Sequence, residues 1–160
     1  RIYAEDPTRS FLPQAGPLLR YREPAGPGLR VDSGVSEGGA VSVYYDPMLA
    51  KLIAYGETRA HSVARAREAL TRFEILGLRT NLAFLDALLA RPEFAAGQID
   101  TGFIDRHLEE LSRNDAPVPP AVIAAAAWHA SRGGAAPTSH DGVVAAAATD
   151  PFDTIRNWRG

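Results

Sequence analysis

The sequence predicts an α+β fold in which a small antiparallel β-sheet packs with helices, followed by a mobile helical tail. Short runs of alternating apolar and polar residues, separated by proline and glycine, occupy the chain up to Gly56. From Thr58 the apolar residues instead recur at helical spacing. Near Asn114 the composition changes to alanine, glycine and proline, and this change marks the start of the tail.

Length and charge restrict the class of protein. A chain of 160 residues can bury a hydrophobic core as one domain, or as one domain with a tail. With 17 basic and 19 acidic residues, it has no basic surface typical of nucleic-acid or membrane binding, and we expect neither partner. The absence of cysteine excludes disulfides and thiolate metal sites. Because residues 1–5 already have a strand-like pattern, we expect the N-terminus to lie inside a longer protein.

Several short strands are predicted before the longest one. Residues 2–5 form a strand that Asp6-Pro7 ends, since the residue before proline is kept extended. Residues 18–22 and 29–32 both alternate, and a proline and glycine turn at residues 24–28 separates them. We therefore expect these two runs to pair as a hairpin.

The longest predicted strand, at residues 49–55, organises the sheet. Asp46-Pro47 forms the turn before it, Gly56 ends it, and Lys51 is its only charge. Such an apolar run is buried on at least one face, so we expect the other strands to lie beside it. We assign Asp46 a structural role in the turn. Lys51 is either a charge at the sheet edge or the partner of Asp46.

The predicted helices follow the strands. Thr58 is a suitable N-cap for a helix over residues 58–73, in which Glu68 and Arg72 form an i,i+4 pair. Thr80 caps a second helix that Arg91-Pro92 ends, and residues 92–96 form a further turn. A third helix at residues 101–111 has an apolar stripe formed by Phe103, Ile104, Leu108 and Leu111.

These patterns divide the chain into a first domain at residues 1–113 and a second region at residues 114–160. The second region begins with a proline-rich linker and an alanine-rich helix over residues 121–131. A glycine-rich mobile stretch, a short helix at residues 143–148 and a strand-like pattern at residues 150–160 follow. Because that last pattern has no partner strand, we expect it to be the truncated start of another domain.

The residues alone identify no catalytic group. The sequence has no glycine-rich phosphate loop, no HExxH pattern and no Gly-x-Ser-x-Gly pattern, and its four histidines are scattered. We therefore predict no metal site.

The sequence resembles the C-terminal lobe of biotin carboxylases, which are ATP-grasp enzymes. The resemblance covers residues 1 to about 111. Its motifs, in chain order, are Arg1-Ile2-Tyr3-Ala4-Glu5-Asp6-Pro7, Phe11-Leu12-Pro13 with Gly16, Pro24-x-Gly26, Gly28-x-Arg30-Val31-Asp32, Tyr44-Tyr45-Asp46-Pro47-Met48-x-x-Lys51-Leu52-Ile53, Arg65-x-x-x-Ala69-Leu70 and Gly77-x-x-Thr80-Asn81. Several separate motifs in the same order make the resemblance specific.

The resemblance implies a catalytic role for Arg1. In the family, the arginine at the position of Arg1 faces the ureido oxygen of biotin, onto which negative charge moves when N1′ loses its proton. A guanidinium stabilises such an oxygen with a permanent charge and a planar set of donors, which a lysine does not offer. The alternative is that Arg1 is only an arginine at a frayed end.

The resemblance also implies a contact with ATP. Residues 94–103 match the family segment that touches the adenine, and an ungapped alignment places Phe103 at the apolar contact position. The alternative is that Phe103 belongs only to the core stripe of its helix.

The remaining implications concern cofactors and partners. The family uses ATP, Mg²⁺ and bicarbonate to carboxylate biotin on a biotinyl carrier domain, and the Mg²⁺, ATP-grasp and bicarbonate residues lie outside this sequence. The pattern Asp150-Pro151-Phe152-Asp153 with Asn157-Trp158-Arg159 resembles the entry to the middle domain of acyl-CoA carboxylase α subunits, of the methylcrotonyl- or geranyl-CoA type. That domain contacts the carboxyltransferase β subunit. Such enzymes are bacterial cytoplasmic or mitochondrial, and this piece alone would be inactive.

Other assignments stay open. The same lobe occurs in pyruvate carboxylase, urea carboxylase and standalone biotin carboxylase. A protein of another class, a non-catalytic scaffold domain, would have an Arg1 that lies outside any cleft.

Overall fold

The computed structural model describes residues 1–113 and 118–131. The chain divides into two compact units, Arg1–Asp115 and Ala116–Gly160. The predictions for residues 132–160, which are the mobile stretch, the short helix and the strand-like end, lie outside the described residues.

The first unit contains short antiparallel strands and helices, which confirms the predicted α+β class. Its strands are β1 (Ile2–Tyr3), β2 (Glu5–Asp6), β3 (Leu12–Pro13), β4 (Gly16–Pro17), β5 (Arg20–Arg22), β6 (Leu29–Ser33), β7 (Ala40–Val41), β8 (Met48–Ala54) and β9 (Glu74–Leu76). Its helices are α1 (Arg59–Arg72), α2 (Leu82–Leu89), α3 (Pro92–Ala96) and α4 (Phe103–Ser112). A short 3-10 helix, Pro7–Arg9, follows β2.

Strand β8 is the centre of the largest sheet, as predicted. It lies between β1 and β6 and pairs antiparallel with both. Leu49 and Ala50 of β8 are 1% and 2% exposed, and Ile2, which pairs with Ala50, is fully buried. The apolar run in the sequence therefore marks the strand with the most neighbours.

The predicted hairpin between residues 18–22 and 29–32 is wrong. Strand β5 pairs with the distant β9, while β6 pairs with β8. Alternation shows that one face of a strand is buried but does not identify its partner. Here Glu74 of β9 lies opposite Arg22 and also binds Arg20 at 2.9 Å, so the β5–β9 pair joins opposite charges.

Helix α1 begins as predicted, with the Thr58 hydroxyl accepting a hydrogen bond from the His61 amide at 3.2 Å. The pair of Glu68 and Arg72 is present at 3.7 Å. The prediction that Thr80 caps the second helix is wrong. Asn81 occupies the N-cap position of α2, and its side chain makes no capping hydrogen bond.

The helices cover the sheet. The core contains Ile2, Ala4, Leu18, Tyr21, Val41, Leu49, Ala50 and Phe73, with Leu52, Leu78, Leu82 and Leu85 packed against it. On α4 the predicted stripe is only partly confirmed, since Phe103 and Leu111 are buried but Ile104 is 39% exposed.

In the second unit, helix α5 (Pro120–Ser131) is exposed along its length. Trp128, on the predicted alanine-rich helix, is 61% exposed. Among the described residues, no helix combines the length and apolarity that crossing a bilayer requires.

Candidate functional site

Three segments that are far apart in the sequence meet at Arg1. Strand β1, which follows Arg1, pairs with β8 through Ile2 and Ala50. On the other side of the same segment lies Asn81, at the start of α2. These contacts join three of the sequence motifs, those at residues 1–7, 44–53 and 77–81, around one arginine.

Asn81 makes a set of hydrogen bonds to the backbone on both sides of Ile2. Its Nδ2 donates to the carbonyl of Arg1 at 3.2 Å, and its Oδ1 accepts from the amide of Tyr3 at 3.0 Å. Its own amide donates to the Tyr3 carbonyl at 3.2 Å. Asn81 is only 6% exposed, so these bonds satisfy a buried amide that would otherwise be costly.

Arg1 is exposed and is one of the residues that line an apolar groove of about 280 Å³. No hydrogen bond or ion pair to its guanidinium exists among residues 1–113 and 118–131. The groove is also lined by Ile2, Leu52, Ala66, Leu70, Leu85, Leu88, Leu89 and Phe94. Arg1 therefore offers an uncompensated cation beside an apolar surface, where it would attract a bound negative charge.

Asp6 ends the strand segment that begins at Arg1. It is 2% exposed, and its Oδ1 accepts from the Thr8 hydroxyl at 2.7 Å and the Thr8 amide at 3.0 Å. Arg79 lies 3.5 Å from its other oxygen. The hydrogen bonds from Thr8 lower the pKa of Asp6, and Arg79 and Arg9 add to this effect, so Asp6 is a charged structural group.

The turn before β8 also supports this segment. The amide of Ala4 donates to the Pro47 carbonyl at 2.9 Å, and Asp46 accepts from the Met48 amide at 2.8 Å. Asp46 is exposed and acts within the turn, as assigned. Burial raises the pKa of the nearby Glu5, and the charge of Asp46 contributes to that rise.

Lys51 is exposed and makes no ion pair with Asp46 among the described residues, so that alternative is wrong. It is not a charge at the sheet edge either, because β8 is the central strand of its sheet. It lies opposite Asp32 of β6 in the sheet. The pKa of Asp32 is lowered mainly by a hydrogen bond from Arg30, at 2.7 Å, and also by the charges of Arg30 and Lys51. Lys51 therefore belongs to a surface group of charges and not to the groove.

Phe103 is not among the residues that line the groove. It is 4% exposed, and its ring centroid is 4.7 Å from that of His107, one helical turn further along α4. This position matches the core stripe that the sequence offered as the alternative role. The contact with adenine stays a prediction, and only a small part of the ring is accessible for it.

Sequence reasoning missed the role of Asn81. One signal was present in the sequence. Thr80 and Asn81 are both residue types that cap helices, but one helix start needs only one cap, so the other residue was free for a different role. Among the described residues, no cluster of three or more His, Asp or Glu side chains could hold a metal ion.

Comparison with known proteins gives a consistent assignment. Residues 1–106 match the profile of the family described as the biotin carboxylase C-terminal domain. The chain is 44% identical over 128 residues to the mitochondrial methylcrotonoyl-CoA carboxylase subunit alpha of Dictyostelium discoideum, an alignment that covers 79% of this chain and 18% of that protein. It is 43% identical over 130 residues to the propionyl-CoA carboxylase alpha chain of Ruegeria pomeroyi, covering 69% of this chain and 19% of that protein. The chain thus spans less than a fifth of the length of these relatives.

A solved structure has the same fold. The biotin carboxylase domain of the 2-oxoglutarate carboxylase of Hydrogenobacter thermophilus, solved with MgADP, ADP and bicarbonate, superposes with a TM-score of 0.70 at 34% identity. The superposition covers 72% of this chain and 25% of that chain.

Proposed function

The chain belongs to the biotin carboxylase C-terminal domain family, and from this premise we propose that it contributes the biotin-facing arginine to an acyl-CoA carboxylase α subunit. The reaction would be the ATP- and bicarbonate-dependent carboxylation of biotin carried on a protein. The observation that carries the proposal is Arg1, which lies within the family match and lines the groove. Its guanidinium has no hydrogen-bond or ion-pair partner among the described residues.

The proposed role of Arg1 is to stabilise charge on the substrate. Biotin is the substrate of this half-reaction, and its N1′ becomes a nucleophile only after losing a proton. The negative charge then extends to the ureido oxygen, and donors placed in advance at such an oxygen lower the barrier. A guanidinium carries a permanent positive charge, so it would hold this oxygen without taking part in the proton transfer.

The other components of the site would come from outside this chain. We propose that the ATP-grasp residues, the ligands of Mg²⁺ and the group that binds bicarbonate belong to other parts of the same protein. The MgADP and bicarbonate in the solved 2-oxoglutarate carboxylase domain support this class of ligands. The proposed protein partners are a biotinyl carrier domain and a carboxyltransferase β subunit, with residues 114–160 leading into the domain that contacts that subunit.

An acyl-CoA carboxylase is favoured over pyruvate or urea carboxylase because the relatives at about 44% identity are acyl-CoA carboxylase α subunits. Identity does not separate the two acyl-CoA classes, since the chain is 45% identical to both a methylcrotonoyl-CoA and a propionyl-CoA carboxylase subunit. We propose the methylcrotonyl- or geranyl-CoA type on the resemblance of residues 150–159.

The test is a substrate panel with the intact α subunit and its β subunit. With ATP and labelled bicarbonate, we expect carboxylation of the carrier biotin first, and then transfer to methylcrotonyl-CoA or geranyl-CoA in preference to propionyl-CoA and pyruvate. Transfer to pyruvate alone would support the pyruvate carboxylase alternative. If the carrier biotin remains unlabelled while the protein is folded and binds its partners, the scaffold alternative is correct.

The adenine contact of Phe103 needs its own measurement. If this ring touches the adenine, Phe103→Leu should raise the KM for ATP severalfold, because part of an apolar contact surface is removed. Leu111→Val is the matched control, since Leu111 is 3% exposed on the same helix. An equal KM for ATP in both variants, with similar losses of stability, would leave Phe103 with a core role only.

A further inference from the structure

Asn81 stands at a helix start without capping that helix. Asparagine is among the best N-cap residues because its side-chain oxygen accepts from the free amides of the first turn. Here that oxygen accepts from Tyr3, a residue 78 positions earlier in the chain, and no side-chain capping bond to α2 is made. The side chain is therefore committed to strand β1 and not to its own helix.

Strand β1 needs such a partner. It contains only Ile2 and Tyr3, it lies at the edge of its sheet, and its register with β8 is irregular between these two residues. An edge strand leaves a row of amides and carbonyls unpaired on its outer side. The side-chain amide of Asn81 occupies this outer side and pairs with the Arg1 carbonyl and the Tyr3 amide, as a peptide group of a neighbouring strand would.

We propose that Asn81 is a positioning residue that fixes the backbone of Arg1, and through it the guanidinium that faces biotin. This inference rests on the proposed function of Arg1. Ile2 is fully buried between the two bonds, so the strand is held by packing at one residue and by Asn81 at both neighbours. A shift of this segment would displace the Arg1 side chain relative to the groove that it lines. A misplacement of about 1 Å costs up to about 10²-fold in rate.

The proposal separates two functions of Asn81. Its backbone amide binds the Tyr3 carbonyl whatever the side chain, so this link between α2 and β1 survives substitution. The side chain alone reaches the Arg1 carbonyl, 3.2 Å away. Asn81→Asp keeps an acceptor for Tyr3 but places a second oxygen against the Arg1 carbonyl. Asn81→Ala removes both bonds without adding charge.

The experiment uses the intact α subunit and measures two rates on each variant, bicarbonate-dependent ATP cleavage and carboxylation of biotin. For Asn81→Asp and Asn81→Ala we expect carboxylation to fall about 10-fold to 10²-fold while ATP cleavage is largely kept. Arg1→Lys should show the same split. Adding Asn81→Ala to Arg1→Lys should then cause little further loss, because residues that act as a unit are not additive.

The matched control is Thr58→Ala. It removes a side-chain hydrogen bond at the start of α1, and the Thr58 side chain makes no bond to β1. We expect this control to lower both rates equally, in proportion to its loss of melting temperature. If the Asn81 variants do the same, Asn81 has only a structural role and the inference is wrong. If Asn81→Asp lowers only carboxylation and Asn81→Ala does not, the cause is the added negative charge and not the displacement of Arg1. That result would also overturn the inference. If Arg1→Lys shows no split, the proposed function of Arg1 fails and the positioning role fails with it.

Discussion

Gly77 connects β9 to the segment that contains Asn81, and its replacement by alanine gives a severe and specific test of the fold. Its φ is +109°, a conformation that side chains disfavour. A Cβ placed there would lie 2.3 Å from the Pro17 carbonyl oxygen and 3.1 Å from the Leu19 amide nitrogen. Both are backbone atoms, and Leu19 is hydrogen-bonded to Leu76 at 2.9 Å, so no flexible side chain can make room.

The expected cost of Gly77→Ala has three parts. The backbone conformation costs about 1–2 kcal/mol, the shifted hydrogen bond about 0.5–1.5 kcal/mol, and overpacking beside the fully buried Leu18 about 1–3 kcal/mol. We therefore expect a loss of roughly 3–6 kcal/mol, a large part of the stability of a small domain.

Two other glycines separate the cost of the backbone conformation from the cost of the steric clash. Gly97 has a φ of +74°, but no atom lies within 4 Å of the point that a Cβ would occupy, so Gly97→Ala should lose only the conformational part, about 1–2 kcal/mol. Gly34 has neither feature, and Gly34→Ala should stay within about 0.5 kcal/mol of the parent chain. Urea denaturation of the three variants measures the series. If Gly77→Ala loses no more than Gly97→Ala, the close approach of Gly77 to Pro17 is wrong.

Two further predictions concern the carboxylates of Asp6 and Asp46. Hydrogen bonds from Thr8 lower the pKa of Asp6, so its stabilising effect is present above the pKa of an unfolded aspartate and is lost as the pH falls through the lower, folded pKa. Asp6→Asn should therefore be less stable than the parent at pH 7. Denaturation at lower pH should show the difference in the free energy of unfolding disappear below about pH 4. A difference that does not depend on pH would contradict this assignment. Asp46 is exposed and accepts one hydrogen bond from Met48, which an asparagine oxygen can also accept. Thermal melting should show Asp46→Asn within about 0.5 kcal/mol of the parent, and Asp46→Ala about 0.5–1.5 kcal/mol less stable. Equal losses of stability in the two variants would show that the charge of Asp46 is needed.

The sequence predicts those parts of the fold that depend on local chemistry. Thr58 caps α1 because a hydroxyl at that position reaches the third amide of the helix, and the apolar run after Pro47 becomes the central strand β8. The pairing of β5 with β9 could not be predicted in this way. It depends on which distant strand offers Glu74 to Arg20 and Arg22, and nothing in the alternation of residues 18–22 specifies that partner.

In the candidate site, too, the sequence predicts the local features but not the contacts between distant segments. The motif that begins with Arg1 identifies the residue that we propose to face biotin, since its resemblance to the family is local in sequence. The support for Arg1 is not local, because the Asn81 side chain reaches it across 80 positions. By residue type Asn81 favours a helix cap, and only the three-dimensional structure shows that its amide serves strand β1 instead.

The most direct test of the proposed function is the substitution of Arg1 in the intact α subunit. Phosphate release and carboxybiotin formation are measured on the same Arg1→Lys or Arg1→Gln protein. Loss of one charged donor at a developing oxyanion costs about 2.7–4 kcal/mol, so carboxylation of biotin should fall about 10²–10³-fold. Bicarbonate-dependent ATP cleavage should be much less affected, because that step does not place charge on the ureido oxygen. An equal fall in both rates, or no fall in either, would contradict the role of Arg1 at biotin.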